Sequence, residues 1–321
     1  MSRIFCKLAM AMLACTLSVT AWSQDFPNRP MTIVVPFPPG AIYDWVGRTV
    51  AERLQKRTGQ PVVVDNKIGG AGLIGMQAVA RATPDGYTLL TLATPQANPS
   101  VWVKDAPVDV VRDLAPINSL AYAPYVVYIN GTIPAKTLGE FIAQAKANPG
   151  KLNYASITNS SLMLDTIDLV NRTGMSMAAI PYPGSAQVLR AILANEVQFY
   201  VGTSFGLEEH VKGGRIKMLA VTSAAEFPPL RELPTIKTAA GIDFDSNAYY
   251  AVFTAAAAPK PVIARLAALI EDMTKDPELR TQIRARGFEP VAVGSEGVGN
   301  HFAKEAKRAQ DIARQAGIKA Q

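Results

Sequence analysis

TIVVPFPPGAIYDWVGRTVAERL, residues 32–54, is the stretch that decides the fold. Its apolar run Ile33–Val35 predicts a buried strand, and the loop Pro36–Gly40, with three prolines and a glycine, ends that strand. Apolar residues then recur every fourth position from Val46 to Leu54, the spacing of one buried stripe on a helix. The stretch therefore predicts a strand, a loop and a helix in succession, as in an α/β fold.

The loop delivers the chain to a helix N-terminus, where up to four backbone N–H groups lack partners within the helix. The helix dipole makes this end favourable for an anion. No lysine or arginine lies between Thr32 and Trp45, so backbone and neutral groups would have to hold that anion. This favours a carboxylate over a nucleic acid or a polyphosphate.

Residues 1–23 have the three parts of a secretory signal peptide. Arg3 and Lys7 supply the positive start, Leu8–Val19 is apolar, and Ala21–Ser23 is a small-x-small cleavage site. The apolar run is shorter than the ~20 residues of a membrane span, which disfavours the alternative of a one-pass anchor. We therefore predict a secreted, periplasmic protein.

Both cysteines, Cys6 and Cys15, lie inside this segment, and the residues before Cys15 form a poor lipobox. The mature chain would have no disulfide, no thiol nucleophile and no cysteine-based metal site. A chain of about 300 residues can be stabilised by its core alone, which fits a bacterial periplasm. Loss of the signal lowers the formal net charge from +6 to +4, and no clustered basic face predicts a nucleic-acid partner.

Apolar strands alternate with amphipathic helices along the chain. Strands are predicted at Thr32–Val35, Val62–Asp65, Thr88–Leu92, Tyr125–Ile129, Asn153–Ser156, Gln198–Val201, Met218–Val221 and Tyr249–Phe253. Helices are predicted at Asp44–Arg57, Gly75–Arg81, Thr137–Ala147, Leu162–Asn171, Ser185–Ala194, Pro261–Thr274, Pro277–Arg286 and Ser295–Ala316. This alternation predicts an α/β architecture with mainly parallel sheets.

Two crossovers between lobes are predicted, near Ala121–Pro124 and Phe244–Asn247. They divide the chain into a first lobe, residues 24–124 plus 246–321, and a second lobe, residues 125–245. Insertion of one domain into another through two strands is the usual build of a hinged two-lobe protein. The ligand site would lie in the cleft between the lobes, at the carboxyl ends of the strands.

Two motifs suggest other functions. Gly70–Gly75 matches G-x-G-x-x-G, but the next strand ends Leu92–Thr94 without the acid that a dinucleotide site needs. Two interpretations of this glycine segment remain: a closely packed loop, or a glycine-lined wall of the ligand cleft.

Gly202–Gly206 matches the nucleophile elbow G-x-S-x-G around Ser204. Asp272 and His301 follow in the required order, but His301 falls within the terminal helix and no HGGG-type oxyanion loop is present. His210, six residues after Ser204, is expected to be a surface residue. With two histidines, no HExxH and no cysteine pair, we predict no metal site.

Seven segments, in order, make the chain resemble Bug-type periplasmic solute-binding proteins of the tripartite tricarboxylate transporter system. The segments are FPNRPMTIVVPFPPG (Phe26–Gly40), PVVVDNKIGGAG (Pro61–Gly72), ARATPDGYTLL (Ala80–Leu90), IPAKTLGEFIAQAKANPGKLNYAS (Ile133–Ser156), IPYPGSAQ (Ile180–Gln187), IKMLAVTS (Ile216–Ser223) and AAPKPVIARL (Ala257–Leu266).

The resemblance implies two α/β lobes that close on a ligand like a Venus flytrap, in a type II-like periplasmic binding protein with a hinge between the lobes. Two loops, Phe37–Ala41 and Ser156–Ser161, would grip a ligand carboxylate through backbone groups and ordered waters. The site residues that follow for this sequence are Phe37, Pro38, Gly40, Ala41, Tyr43, Ala71, Thr94, Thr158, Asn159, Ser160, Ser161, Tyr182, Gly184, Ser185, Gly202, Thr203 and Tyr249.

The chain departs from the family pattern at the site. The first loop usually continues Gly-Ala-Thr-Asp, whereas here it reads Ala41–Asp44, with an alanine that limits positive φ and an aromatic ring at Tyr43. The second loop carries hydroxyl and amide side chains at Thr158–Ser161 in place of glycines. An acid that can pair with a ligand amine is replaced by Gly202, which weighs against an amino-acid ligand.

Tyr43, Phe205 and Tyr249 could supply aromatic walls, which would suit an aromatic or bulky mono- or dicarboxylate such as terephthalate. The alternative is that these rings pack within a lobe. The resemblance predicts a monomeric receptor, with no cofactor and no enzymatic activity, that delivers its ligand to integral membrane transporter subunits. A secreted serine hydrolase using Ser204 and a ligand sensor without transport remain the alternatives.

Overall fold

The computed structural model describes residues 26–158 and 160–320. The predicted signal peptide, with both cysteines, and the candidate site residue Asn159 lie outside the described residues. In the described part of the chain the strands form two sheets, one of six strands and one of five. No helix in that part is both long enough and apolar enough to span a bilayer.

The first sheet has the strand order β11-β4-β10-β3-β1-β2. Its strands are β1 (Met31–Val35), β2 (Val62–Asn66), β3 (Thr88–Ala93), β4 (Leu114–Pro124), β10 (Asn247–Ala255) and β11 (Glu289–Pro290). The second sheet has the order β7-β6-β8-β5-β9. Its strands are β5 (Val126–Asn130), β6 (Asn153–Ile157), β7 (Ala178–Tyr182), β8 (Phe199–Gly202) and β9 (Ile216–Val221).

Both sheets are mixed, so the prediction of mainly parallel sheets was wrong. β1 pairs in parallel with β2 and β3, and β6 pairs in parallel with β7 and β8. β10 is antiparallel to β3 and β4, and β5 is antiparallel to β8 and β9. The physical reason is that the chain crosses between the sheets twice. β5 and β10 each enter their sheet at the side where the neighbouring strands end, so they run antiparallel to those neighbours.

All eight predicted strands are present with boundaries shifted by up to two residues, and three further strands were missed. β4 was assigned only to a crossover near its end, because its polar residues Asn118 and Ser119 interrupt the apolar pattern. Both are buried, and their side chains donate to the carbonyl oxygens of Ala267 and Val291. β7 is an edge strand with mostly exposed residues, and β11 spans two residues.

The helices cover the faces of the sheets, and all eight predicted ones are present. They are α1 (Ile42–Thr58), α2 (Leu73–Ala80), α3 (Val110–Asp113), α4 (Leu138–Ala147), α5 (Ser161–Thr173), α6 (Ser185–Leu193), α7 (Glu208–Lys212), α8 (Ile236–Ala240), α9 (Lys260–Lys275), α10 (Pro277–Arg284) and α11 (Gly294–Gln315). In α1, Val46, Val50 and Leu54 are buried as the stripe predicted from the sequence.

The crossovers are pinned to each other by Thr222. Its hydroxyl donates to the Ser246 carbonyl oxygen (2.6 Å), and it accepts a hydrogen bond from the Tyr125 N–H (2.8 Å). The Ser246 N–H returns a bond to the Thr222 carbonyl oxygen (3.0 Å). The chain leaves β4, enters β5 and returns into β10 through this one junction, so the carboxyl ends of β1, β3, β6 and β8 are directed towards the region between the sheets.

Candidate ligand-binding site

Helix α1 begins at Ile42, after the loop that follows β1, and has no side-chain cap. The Ala41 N–H donates to the Pro38 carbonyl oxygen (3.3 Å), while the N–H groups of Ile42 and Tyr43 have no acceptor among the described residues. Ala41 has φ −71°, and the positive φ of the loop, +83°, falls on Gly40. Alanine therefore restricts nothing at position 41, contrary to expectation, and the helix start keeps open donors.

The loop after β1 is fastened by one carboxylate. Asp44 is buried and accepts hydrogen bonds from the Gly40 N–H (2.9 Å) and the Arg48 guanidinium (2.8 Å). The Asn66 amide donates both to the Asp44 carboxylate (3.0 Å) and to the Phe37 carbonyl oxygen (3.0 Å). Burial raises the pKa of Asp44, but the hydrogen bonds outweigh burial and leave the pKa below its usual range. The loop is thus held by an ionised carboxylate.

Tyr43 packs among aromatic side chains of the first sheet. Its ring lies on that of Phe37, with centroids 4.2 Å apart, and meets Tyr250 edge to face at 5.7 Å. Its hydroxyl donates to Gln96 Oε1 (2.8 Å). Burial raises the pKa of Tyr43 despite this bond, so the phenol stays neutral. The hydroxyl is already engaged, and a ligand contact by the ring remains a prediction.

The Gly70–Gly72 turn lies against the first loop. A Cβ atom at Gly72 would come within 3.4 Å of the Phe37 ring. Ala71 in this turn is exposed and has φ +53°, a left-handed conformation that costs an alanine about 1 kcal/mol. The turn is thus a wall beside the first loop.

Thr94 and Tyr249 fasten β10 to the end of β3. The Thr94 hydroxyl donates to the Asn247 carbonyl oxygen (2.6 Å) and accepts from the Tyr249 N–H (3.2 Å). The Tyr249 ring stacks on both His301 (centroids 3.8 Å apart) and Tyr122 (5.3 Å). Both residues therefore have structural partners at the junction of the two sheets.

In the second loop, Ser160 is the N-cap of α5. Its hydroxyl donates to the Ile157 carbonyl oxygen (2.7 Å) and accepts from the Met163 N–H (3.3 Å). The Thr158 side chain is exposed, and its N–H donates to the Tyr182 carbonyl oxygen (3.3 Å). The ends of β6 and β7 are thereby joined.

Ser161, the first residue of α5, is buried, and its hydroxyl has no hydrogen-bond partner among the residues that the structure describes. Helix α6, like α1, starts without a side-chain cap, at Gly184 and the exposed Ser185. Two uncapped helix starts, one in each sheet's layer, thus follow strands that end between the sheets. Such starts are suited to anions.

The end of β8 carries Gly202 and Thr203. Gly202 is buried, and the Tyr200 ring occupies the space where its side chain would be. Thr203 lines a small cavity between the sheets. The other lining residues are Ala123, Pro124, Tyr125, Ser204, Phe205, Ala248, Tyr250 and Phe288. Phe205 is 58% exposed, unlike the packed rings of Tyr43 and Tyr249.

The two halves meet through α5, which packs on the Thr94–Gln96 turn of the first sheet's layer and on α11. The Asp165 carboxylate of α5 is fully buried and accepts from the Ser246 hydroxyl (2.9 Å) and the Arg308 guanidinium (2.5 Å). Arg308 also binds Glu305 (2.8 Å). A buried charged network therefore links the helix of the second loop to the helix that packs on the first sheet.

Sequence reasoning missed Gln96, Tyr200, Phe288 and the Asp165–Arg308 pair. Tyr200 could have been found, because it lies two residues before Gly202 and thus on the same face of a strand. Asp165 and Arg308 are 143 positions apart. No local pattern joins them.

The serine hydrolase geometry is not formed by the described residues. A Cβ atom on Gly287 would lie 3.4 Å from Ser204 Oγ, which places the serine beside the Gly287 backbone. His210 contacts Arg215, and His301 stacks on Tyr249. Burial and the Lys304 charge lower the pKa of His301, although Asp245 opposes them. No histidine is hydrogen-bonded to Ser204 within the described ranges.

Two α/β sheets with facing strand ends, joined by crossing strands, define a two-lobed periplasmic binding protein. The model of the tripartite tricarboxylate transporter family receptor, TctC, matches residues 46–318. The chain therefore belongs to this family of solute-binding receptors, whose members are periplasmic.

Individual relatives and solved structures match this chain along most of its length. A UPF0065 protein in the tcbD-tcbE intergenic region of Pseudomonas sp. strain P51 is 31% identical over 313 residues, 97% of this chain and 93% of the relative. The structure of R. palustris Rpa4515 with adipate matches with a TM-score of 0.80 and 28% identity, over 92% of this chain and 100% of that chain. The periplasmic binding protein BugD matches with a TM-score of 0.75 and 27% identity, over 92% and 100%.

Proposed function

We propose that this receptor captures a small carboxylate between its two sheets and delivers it to integral membrane transporter subunits. The observation that carries the proposal is the uncapped start of α1, where the N–H groups of Ile42 and Tyr43 lack acceptors among the described residues. Hydrogen bonds from such donors to a charged acceptor contribute about 1.5–3 kcal/mol each. The adipate held by the similar Rpa4515 supports the same ligand class.

We keep an aromatic dicarboxylate such as terephthalate as the sharper form of this proposal. Phe205 supports it, because its ring is exposed beside the cavity between the sheets. Tyr43 and Tyr249 support it less, since both rings have aromatic neighbours of their own. The proposed cleft residues are the site residues that the family resemblance implies, as given under Sequence analysis. Of these, Asn159 lies outside the residues that the structure describes.

The lobe boundaries follow as part of the proposal, with residues 24–124 and 246–321 in one lobe and 125–245 in the other. We propose further that residues 1–23 are removed on secretion and that the mature protein is a monomer without enzymatic activity. A ligand sensor would also bind the carboxylate, but without membrane transporter subunits, so ligand binding alone does not distinguish sensing from transport. Capture of the membrane subunits by the tagged receptor in detergent would favour transport over sensing.

A calorimetric titration tests the ligand class. Adipate, terephthalate, benzoate and glutamate would be compared with uncharged 1,6-hexanediol. We expect micromolar binding of at least one carboxylate, about −8 kcal/mol, and none of the diol. Tight binding of glutamate with no binding of the other acids would reject the ligand class proposed here. Ester hydrolysis abolished by Ser204→Ala would favour the hydrolase instead.

Tryptophan fluorescence supplies an independent readout of closure. Trp45 is one turn into α1, and Trp102 is the other tryptophan beyond residue 23. We expect the ligand that binds in calorimetry to change the emission, and Trp45→Phe to remove most of that change. Trp102→Phe is the matched control. A signal that survives in Trp45→Phe would place the ligand-dependent change away from the first loop.

A further inference from the structure

Tyr200 has a buried hydroxyl that nothing in the fold explains. Its side chain is 1% exposed, and its ring meets Tyr128 edge to face with centroids 5.7 Å apart. The hydroxyl oxygen has no hydrogen-bond partner among the described residues. A buried polar group without a partner costs free energy, whereas phenylalanine would fill the same space without that cost.

Gly202 determines where the Tyr200 ring lies. A Cβ atom at position 202 would come within 2.4 Å of Tyr200 Cε1, so the ring extends along β8 towards its carboxyl end. The backbone at Gly202 does not have a positive φ, so the glycine is required for space rather than for conformation. The ring thereby points to the end of the strand from which the Gly202–Thr203 segment of the candidate site departs.

Ser161 presents a second buried hydroxyl without a described partner at the start of α5. Helix α5 follows the carboxyl end of β6, and β6 runs parallel to β8, so Ser161 and the carboxyl end of β8 lie at the same end of the second sheet. Burial, then Tyr128 and the Asp165 charge, raise the pKa of Tyr200 well above its usual value, which keeps the phenol a neutral donor. Asp165 itself is bonded to Arg308 and Ser246.

We propose that Tyr200, assisted by Ser161, is the specificity-determining donor for a carboxylate of the ligand that enters the second lobe. This inference rests on the proposed function and deepens it. Two neutral hydroxyl donors, one of them at the start of a helix, suit a negatively charged oxygen acceptor. They offer no countercharge to an ammonium group. The receptor should therefore prefer a dicarboxylate over a monocarboxylate or an amino acid of equal length.

Three ligands of equal chain length test the proposal: adipate, hexanoate and 6-aminohexanoate. The wild-type protein should bind adipate most tightly and 6-aminohexanoate least tightly. Tyr200→Phe should weaken adipate binding about tenfold or more, the loss of one hydrogen bond to a charged group, and leave hexanoate unchanged. Gly202→Ala should have the same effect, since it displaces the ring. Terephthalate and benzoate form the equivalent pair if adipate does not bind.

Tyr154→Phe is the matched control, because Tyr154 is also buried but lies near the amino end of β6, away from the carboxyl ends of the strands. It should leave the ratio of adipate to hexanoate affinity unchanged. The thermal midpoint of unliganded Tyr200→Phe should equal or exceed that of the wild type, since the variant loses only an unbonded hydroxyl. A lower midpoint with an unchanged affinity ratio would show that Tyr200 is structural and overturn the proposal.

Different experimental results would refute the proposed function and the proposed role of Tyr200. A protein that binds hexanoate or benzoate without preferring the diacid keeps the proposed function and refutes the role of Tyr200. A wild-type preference for the diacid that survives in Tyr200→Phe also refutes it. A protein that binds no carboxylate of either series refutes the proposed function, and the role of Tyr200 with it.

Discussion

The two halves of the candidate site differ in how their polar groups are satisfied. Around the first loop, the Tyr43 hydroxyl is bonded to Gln96, and the Asp44 carboxylate accepts from three residues. At the end of the second sheet, the hydroxyls of Ser161 and Tyr200 are buried without described partners. The first half is thus a fixed frame, by which we mean the first loop and the Asp44 hydrogen bonds that hold its backbone donors in place. The second half has side-chain donors that a ligand can satisfy. The role proposed for Tyr200 assigns ligand selectivity mainly to the second half.

The largest expected effect concerns the network that joins the halves. Arg308→Gln would leave the fully buried Asp165 carboxylate without its cation, and we expect a loss of about 3–5 kcal/mol in the free energy of unfolding. Urea unfolding measures this loss. Arg314→Gln, at an exposed ion pair with Asp311, should cost well under 1 kcal/mol. Adding Asp165→Asn to Arg308→Gln should restore part of the loss; no recovery would show that charge pairing is not its cause.

The frame of the first half should depend on Asp44. Asp44→Ala removes the acceptor for Gly40, Arg48 and Asn66, and we expect a loss of about 2 kcal/mol together with weaker binding of every carboxylate. Asp272→Ala, at an exposed ion pair on the same layer, is the control. Selective weakening of one ligand by Asp44→Ala would contradict a general role of the frame.

The same carboxylate gives the frame a pH dependence. The pKa of Asp44 is lower in the folded than in the unfolded chain, so its stabilisation is complete above the unfolded pKa of about 3.9. It is lost as the pH falls through the folded pKa. Urea midpoints between pH 6 and pH 2 should therefore decline less steeply in Asp44→Asn than in the wild type. Equal slopes would mean that the pKa of Asp44 does not differ between the folded and the unfolded chain.

A pair of hydroxyl deletions compares the halves directly. Tyr43→Phe removes the bond to Gln96 and should lower the unfolding free energy by about 1 kcal/mol without changing the ratio of diacid to monoacid affinity. Tyr200→Phe should lower the ratio of diacid to monoacid affinity without lowering the unfolding free energy. Chemical denaturation and calorimetry on both variants decide the matter. A changed affinity ratio in Tyr43→Phe would place ligand selectivity at the first loop instead.

The smallest effect is expected at Arg286, whose guanidinium carbon lies 4.6 Å from the centre of the Trp45 ring. Arg286→Gln should cost about 0.5–1 kcal/mol of stability and alter the tryptophan emission of the unliganded protein. Arg280→Gln, six residues earlier in sequence, controls for loss of charge. An unchanged emission spectrum would indicate that the cation does not rest on the ring in solution.

The sequence by itself determined the alternation of strands and helices, because the apolar periodicities of strands and helices are local and strong. The strand, loop and helix of residues 31–58 are present as predicted, and the family follows from ordered motifs along the chain. β4 escaped prediction because buried Asn118 and Ser119 break its apolar pattern, and their partners lie about 150 residues or more away in sequence.

Only the tertiary structure decided which groups of the candidate site are free to bind a ligand. Thr94 and Tyr43 carry hydroxyls suited to a ligand, yet both are bonded to other parts of the chain. Tyr200 looks like an ordinary core residue in sequence, yet the absence of a side chain at Gly202 gives its ring a path towards the strand end. Hydrogen-bond satisfaction depends on partners distant in sequence, so only the folded chain shows which donors remain.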